Sequence, residues 1–267
     1  MLDELQVRPG EPARLAERET KSRLGLGKKS DGYARLAELQ EQLRELQAHL
    51  FGESRRSVLL ILQGMDSSGK DSTIRRVFEG VNPQGVWVRG FGRPEEAELA
   101  RDYLWRVHRD VPRRGKIGIF NRSHYEDVGV VRVKELVPPE VWQRRYHHIR
   151  EFERLLTDEG TRVLKVWLHI SHEEQRARLQ RRIDDPERNW KFEPEDIEAR
   201  RDWPLYQAAY EEAITETSTD WAPWYVIPAD RRWARDVAIA QLLVDTLTEM
   251  DPQLPPADPR LQGITIT

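Results

Sequence analysis

A chain of 267 residues carries 43 Lys and Arg against 46 Asp and Glu, for a formal net charge of −3, and it contains no cysteine. Disulfides, thiolate metal sites and cysteine nucleophiles are thereby excluded, and the balanced charge offers nucleic acid no global attraction. With nine Trp and no apolar run longer than Val58 to Leu62, the sequence reads as a folded, soluble, cytoplasmic protein that neither spans nor binds a membrane.

Residues 1–30 hold Pro9, Gly10, Pro12 and the Gly25–Lys28 stretch without a sustained period, and no apolar signal-peptide segment stands in Met1 to Lys28. They read as an extended N-terminal arm. After Ser30-Asp31, Leu36, Leu39, Leu43, Leu46 and Leu50 recur at alternating spacings of three and four, which predicts an amphipathic helix ending at Gly52. Short runs rich in β-branched or aromatic residues predict strands at Ser57–Leu62, Val86–Phe91, Lys116–Phe120, Arg162–Ile170 and Trp224–Ile227. Helical patterns separate them: Lys70–Val81, Pro94–Arg109, Pro138–Glu159 and Glu173–Arg182, then Pro194–Thr217, with Arg232–Met250 last. Such alternation predicts an α/β three-layer fold, a five-stranded parallel sheet with helices on both faces, as one domain over residues 31–250. The proline-bearing residues 251–267 read as a C-terminal tail.

The first strand runs into Gly64-Met65-Asp66-Ser67-Ser68-Gly69-Lys70-Asp71, and a helical pattern follows at once. Glycines at both ends of such a loop let successive N–H groups, here including those of Met65, Ser67 and Ser68, point at one anion. The next helix adds its positive dipole end, and Lys70 a mobile charge. The same string also arises as a chance turn, but here its flanks are those that phosphate binding requires. Asp71 stands where Ser or Thr normally binds Mg²⁺, followed by Ser72-Thr73. A second carboxylate, Asp66, is unfavourable in an anion loop unless a cation or a proton accompanies it. Metal coordination or base chemistry at Asp66 is one reading, and a turn-stabilising side chain is the other.

The third strand ends in Asn121-Arg122-Ser123-His124-Tyr125-Glu126-Asp127, at the edge where open parallel sheets bind ligands. Arg122 suits a bidentate phosphate clamp, and Glu126 and Asp127 suit Mg²⁺ directly or through water. Ser123 with Glu126 also fits a helix capping box, and both readings can hold together. His124, without further ligands at metal spacing, reads as structural. Arg178 and Arg182, four residues apart on a segment that begins with Glu173-Glu174, share a helical face ahead of a loop containing Pro186. Beside a phosphate loop this segment, about residues 172–200, reads as a closing lid that delivers positive charge; a solvated face with internal ion pairs is the alternative.

Together these strings resemble the family-2 polyphosphate kinases, thymidylate-kinase-like P-loop proteins that move phosphoryl groups between inorganic polyphosphate and nucleotides. The resemblance runs from about Ser30 to Met250 and rests on GMDSSGKDST (64–73), RGFGRPEEAEL (89–99), FNRSHYEDV (120–128), the segment Arg178 to Lys191, and APWYVIPAD (222–230). Asn121 in place of the usual Asp, with Glu126-Asp127, resembles class III, associated with phosphorylating both AMP and ADP. The resemblance implies that Lys70 and the loop hold phosphates, that Asp66 and Asp127 arrange Mg²⁺ (Mn²⁺ as a substitute), and that Arg122 holds the nucleotide phosphate. It implies a nucleotide pocket lined by Gly92, Arg93, Asn121 and Glu126, lid arginines at Arg178 and Arg182, and a polyphosphate path past Lys28, Lys29 and Lys191. It further implies a reversible reaction yielding ADP and ATP, in a homo-oligomer, dimer or tetramer. The nearest rival is an ATP-dependent nucleoside monophosphate kinase of the same fold.

Overall fold

The computed structural model describes residues 2–187, 189–262 and 264–266, and leaves the side chain of Lys191 outside the described set. Its strands are β1 Gln6–Val7, β2 Ser57–Gln63, β3 Val86–Gly90, β4 Ile117–Asn121, β5 Thr161–His169 and β6 Trp224–Pro228. They form one sheet in the order β1-β6-β5-β2-β4-β3. The five predicted strands are parallel neighbours. The difference from the predicted sheet is a sixth strand, β1, which pairs antiparallel with β6, Gln6 opposite Tyr225 and Val7 opposite Trp224. It is drawn from the arm, whose Leu5, Val7, Ala13 and Leu15 are buried in the main core. Pairing with β1 also covers the β6 edge, which would otherwise offer unpaired backbone groups.

The helices are α1 Leu2–Leu5, α2 Lys29–Glu53, α3 Lys70–Val77, α4 Glu96–Leu99, α5 Trp105–His108, α6 Val130–Val133, α7 Pro139–Asp158, α8 His172–Asp184, α9 Glu195–Arg201, α10 Trp203–Thr217 and α11 Arg232–Met250. One group packs α11 against α2 and α3, and another packs α10 against α6, α7 and α9. Every residue of β2 is buried, so both faces of the sheet are covered, as the unbroken apolar run requires. Among the described residues no helix is long and apolar enough to cross a membrane.

Two predicted helices are broken. Within Pro94–Arg109 the Asp102 side chain accepts from the Leu104 N–H at 3.0 Å, a local turn that competes with the helix ladder and separates α4 from α5. Within Pro194–Thr217 the break falls at Asp202, because Pro204 has no N–H to bond back and its ring crowds the preceding turn; it sits in the first turn of α10 instead.

Behind the end of β4 lies a fully buried charged network. Lys165 of β5 reaches Glu153 of α7 at 2.5 Å, the Tyr125 hydroxyl at 3.1 Å and the Thr217 carbonyl at 2.6 Å. Tyr125 also donates to Glu153 at 2.8 Å, and His124 Nε2 lies 3.3 Å from the same carboxylate, so His124 is structural. Burial pushes the Glu153 carboxyl up, but Lys165 and His124 outweigh it and hold the group ionised. Lys165→Met strips the buried carboxylate of its cation and is expected to cost about 3–5 kcal/mol, read from urea unfolding at constant slope. A loss below about 1 kcal/mol would mean the pair carries little net weight.

Candidate functional site

Parallel pairing of β2 with β4 sets Leu62 beside Asn121, so the loop leaving β2 and the cluster leaving β4 emerge side by side. Arg122 donates its backbone N–H to the Leu62 carbonyl at 3.0 Å and sits in the left-handed region at φ 63°, a conformation non-glycine residues adopt mainly under local compulsion. Its side chain turns to the loop, Arg122 Nη2 lying 2.6 Å from Asp66 Oδ1. Asn121 Nδ2 likewise donates to Asp71 Oδ1 at 2.6 Å. The two segments chosen from sequence thus meet through two direct side-chain bonds.

Gly64 at φ 153° and Gly69 at φ 109° make the loop's corners. Lys70 folds back under it, with Nζ 2.7 Å from the Gly64 carbonyl and 3.4 Å from that of Met65. Burial first, then the nearby Arg122 charge, lowers the Lys70 ammonium to about 8. Burial pushes the Asp66 carboxyl up, yet Arg122 and Lys70 together hold it below the ordinary carboxylate value. The Ser67, Ser68 and Thr73 hydroxyls are buried here without a hydrogen-bond partner, while Ser72 Oγ donates to the Gly69 carbonyl at 2.8 Å. Buried hydroxyls are normally satisfied, and these three are exceptions clustered at the loop and the first turn of α3.

The turn after Arg122 is a 3₁₀ turn, His124–Asp127, and Ser123 accepts from the Tyr125 N–H at 3.2 Å. The expected capping box is absent: the Glu126 side chain turns instead to the Tyr210 hydroxyl at 3.2 Å. Glu126 acts electrostatically on both Arg122 and Lys70 and so belongs to the central cluster. Asp127 faces away, onto Arg145 of α7, 3.4 Å from Nη1. Burial raises its carboxyl to about 6 despite Arg145. A folded-state value above the unfolded one means that its stabilising contribution is complete below about pH 4 and disappears as pH rises through 6. Asp127→Asn is therefore expected to melt higher than the native chain at pH 7.5, by about 1–3 kcal/mol, with the gap closing at pH 5. Thermal melts at the two pH values check this, and a gap that widens in acid would contradict it.

On the lid segment Arg182 pairs with Asp196 of α9 at 3.1 Å, and its charge also acts on Asp66. Arg178 behaves differently. All five of its donors are engaged: Nε with Glu174 at 2.8 Å, Nη1 with the Ser67 and Ser68 carbonyls at 3.1 and 2.8 Å, Nη2 with those of Ala229 and Asp230 at 2.6 and 3.1 Å. Arg178 is thus a rivet on the loop's backbone in this conformation, and it makes the internal ion pair to Glu174 that is the alternative to the phosphate-facing lid arginine the resemblance implies. Arg93, 89% exposed, reaches α9 at Glu195, and the Gly92 carbonyl is held by Arg106 at 2.8 Å. Lys28 precedes the first turn of α2, and Lys29 lies over the Tyr33 ring together with Arg76 from the far end of α3. The side chain of Lys191 lies outside the described residues.

Tyr206 and Tyr210, one turn apart on α10, complete the cluster unforeseen. Burial first, then Asp66 and Glu126, raises Tyr206 to about 12. Tyr210 stacks on Trp167 at 4.5 Å while its hydroxyl serves Glu126. In sequence they look like two aromatic core residues, and the polar use of the Tyr210 hydroxyl has no local signal.

A glycine-cornered anion loop before a helix, faced by an arginine and several carboxylates at the carboxyl edge of a parallel sheet, defines a P-loop phosphotransferase. The family described as polyphosphate kinase 2 matches residues 27–255, and the chain belongs to that family. It is 58% identical over 240 residues to the AMP/ADP-polyphosphate phosphotransferase of Meiothermus ruber, covering 90% of each chain. It is 44% identical over 231 residues to the ADP-polyphosphate phosphotransferase of Rhodopseudomonas palustris, covering 82% of this chain and 80% of that one. The crystal structure of polyphosphate kinase 2 from Arthrobacter aurescens TC1 matches with a TM-score of 0.92 at 41% identity, over 96% of this chain and 92% of that one.

Proposed function

We propose that the protein transfers the terminal phosphoryl group of inorganic polyphosphate to AMP and then to ADP, giving ADP and ATP. The carrying observation is the meeting of Lys70, Asp66 and Arg122 at the glycine-cornered loop, supported by the substrates in the relatives' names. A terminal phosphate oxygen of the acceptor attacks the end phosphorus of the chain; that P–O bond forms as the bridging P–O bond breaks, leaving polyphosphate shorter by one unit. The attacking oxygen is already ionised near neutral pH, so alignment and charge cancellation matter more than a general base. Lys70 and the loop backbone hold the bridging phosphates and reach the acceptor side, Arg122 holds the acceptor phosphate, and Asn121, Glu126, Gly92 and Arg93 the nucleotide.

Among the described residues no three His, Asp or Glu gather as a metal cage. Mg²⁺ binds through one or two carboxylates together with substrate phosphates and water. Asp66 and Asp127 are its proposed holders, Mn²⁺ substituting, which would require Asp127 to turn from Arg145 toward the loop. When bound, the ion neutralises charge between the phosphates. The lid over residues 172–200 brings Arg182 toward them, with Lys28, Lys29 and Lys191 along the outer polyphosphate path. The large exposed side chains of Trp87 and Val88 on the β3 edge support assembly as a dimer or tetramer. The deciding experiment is product analysis over time from polyphosphate, Mg²⁺ and AMP. ADP followed by ATP is expected, and ADP formed with ATP but not with polyphosphate as sole donor would overturn the reading.

A further inference from the structure

Arg235, on α11, is fully buried and plays no part in the reaction as described. Its neighbour Asp236 takes Nε and Nη2 at 2.9 and 2.7 Å, which by itself would be an ordinary core ion pair. The remaining bonds go elsewhere: Nη1 to the Ser68 carbonyl at 3.1 Å and Nη2 to Ser72 Oγ at 3.1 Å. The Ser68 carbonyl thus receives two guanidinium groups, Arg178 being the other at 2.8 Å. Arg178 also holds the Ala229 and Asp230 carbonyls, so the connection from β6 into α11 and the loop are bound as one unit.

In a trans peptide the carbonyl and the following N–H point in opposite directions. Holding the Ser68 carbonyl therefore turns the Gly69 N–H away from the guanidinium groups. The Gly69 carbonyl is tied to Ser72 Oγ at 2.8 Å and to the Thr73 N–H at 2.9 Å, which turns the Lys70 N–H the same way. These are the amides an anion in the loop would use. A Cβ at Gly69 would also run into Arg235 Nη1, so this glycine is required by the contact as well as by its φ of 109°.

We propose that Arg235 is a positioning residue for polyphosphate, fixing the Ser68–Lys70 backbone in its anion-binding orientation through Ser68 and Ser72 without touching the substrate. The inference rests on polyphosphate being the donor, and the test separates the two. Native enzyme, R235K and the paired R235M/D236L, which leaves no charge buried alone, are compared in three ways. These are Kd for inorganic tripolyphosphate by calorimetry, KM for polyphosphate and for AMP, and Tm. The paired variant should bind tripolyphosphate about 10–100-fold more weakly, as the loss of hydrogen bonds from a charged group implies. R235K, with a shorter reach and one centre of charge, should weaken it about three- to tenfold, and KM for AMP should stay within about twofold in both. A fall in Tm with tripolyphosphate affinity unchanged in the folded variants would reduce Arg235 to a structural ion pair and overturn the proposal. Should the paired variant not fold, R235K decides alone by the same criterion. If the native protein binds tripolyphosphate yet forms no ADP from polyphosphate and AMP, the functional reading fails while the Kd comparison still judges Arg235.

Discussion

Lys70→Ala should lower kcat/KM by about 10³-fold, among the largest single losses an electrostatic group produces in phosphoryl transfer. Among the described residues Lys70 Nζ is hydrogen-bonded to loop carbonyls, chiefly that of Gly64 at 2.7 Å, and so is poised to exchange them for phosphate oxygens. Arg cannot replace it well, because a planar fork does not fit where a compact ammonium turns back beneath the loop. Stability should move the other way. With the folded-state value at about 8 against an ordinary lysine value of 10.5, the folded chain binds fewer protons than the unfolded one between those limits. The buried charge is therefore a liability below pH 8 that fades as pH rises, and removing it leaves Tm unchanged or higher at pH 7. The same lowered value implies that kcat/KM of the native enzyme falls above about pH 8 as Lys70 loses its proton. Steady-state assays with melting curves check both, and a loss smaller than about tenfold would remove Lys70 from the chemistry.

The parts legible in sequence are those where local pattern and tertiary use coincide. The unbroken apolar run of β2, the loop that follows it and the polar cluster after β4 have flanks that dictate both their conformation and their neighbours. Strand β1 was not legible, because two residues show no period and its partner β6 lies more than two hundred residues away. The arm's other anchors are equally remote: the Ala13 N–H bonds Thr215 Oγ1 at 3.0 Å, and Thr20 Oγ1 bonds Asp230 at 2.9 Å. Arg178 and Arg182 look alike in sequence, being one turn apart on the same face. The structure separates them, since one turn along α8 is enough to place Arg178 over the loop's carbonyls and Arg182 beside Asp196. Arg235 sits in the first turn of α11 beside Arg232 and Asp236, where the sequence reads as an ordinary charged helix start.

Asp66→Asn is expected to lower kcat by about 10²–10³-fold and to raise the Mg²⁺ concentration for half activity about tenfold. The substitution discriminates between the two readings of this residue, because Asn supports the same local turn as Asp and differs mainly in charge. A turn-stabilising Asp66 would therefore leave both quantities near native. The structure argues for charge: Asp66 Oδ1 lies 2.6 Å from Arg122 Nη2, and the arginine keeps the buried carboxyl ionised at neutral pH. In the proposed reaction Arg122 turns to the acceptor phosphate, and Asp66 would be the residue left to hold a divalent ion. Where Arg122 leaves Asp66 for a phosphate, the carboxylate would seek another cation, which would couple nucleotide binding to a bound metal. In Asp66→Asn that coupling disappears, so KM for AMP should lose its dependence on Mg²⁺ concentration. A titration of Mg²⁺ at several AMP concentrations measures it, and a native-like interdependence in the variant would mean that Asp66 does not hold the ion.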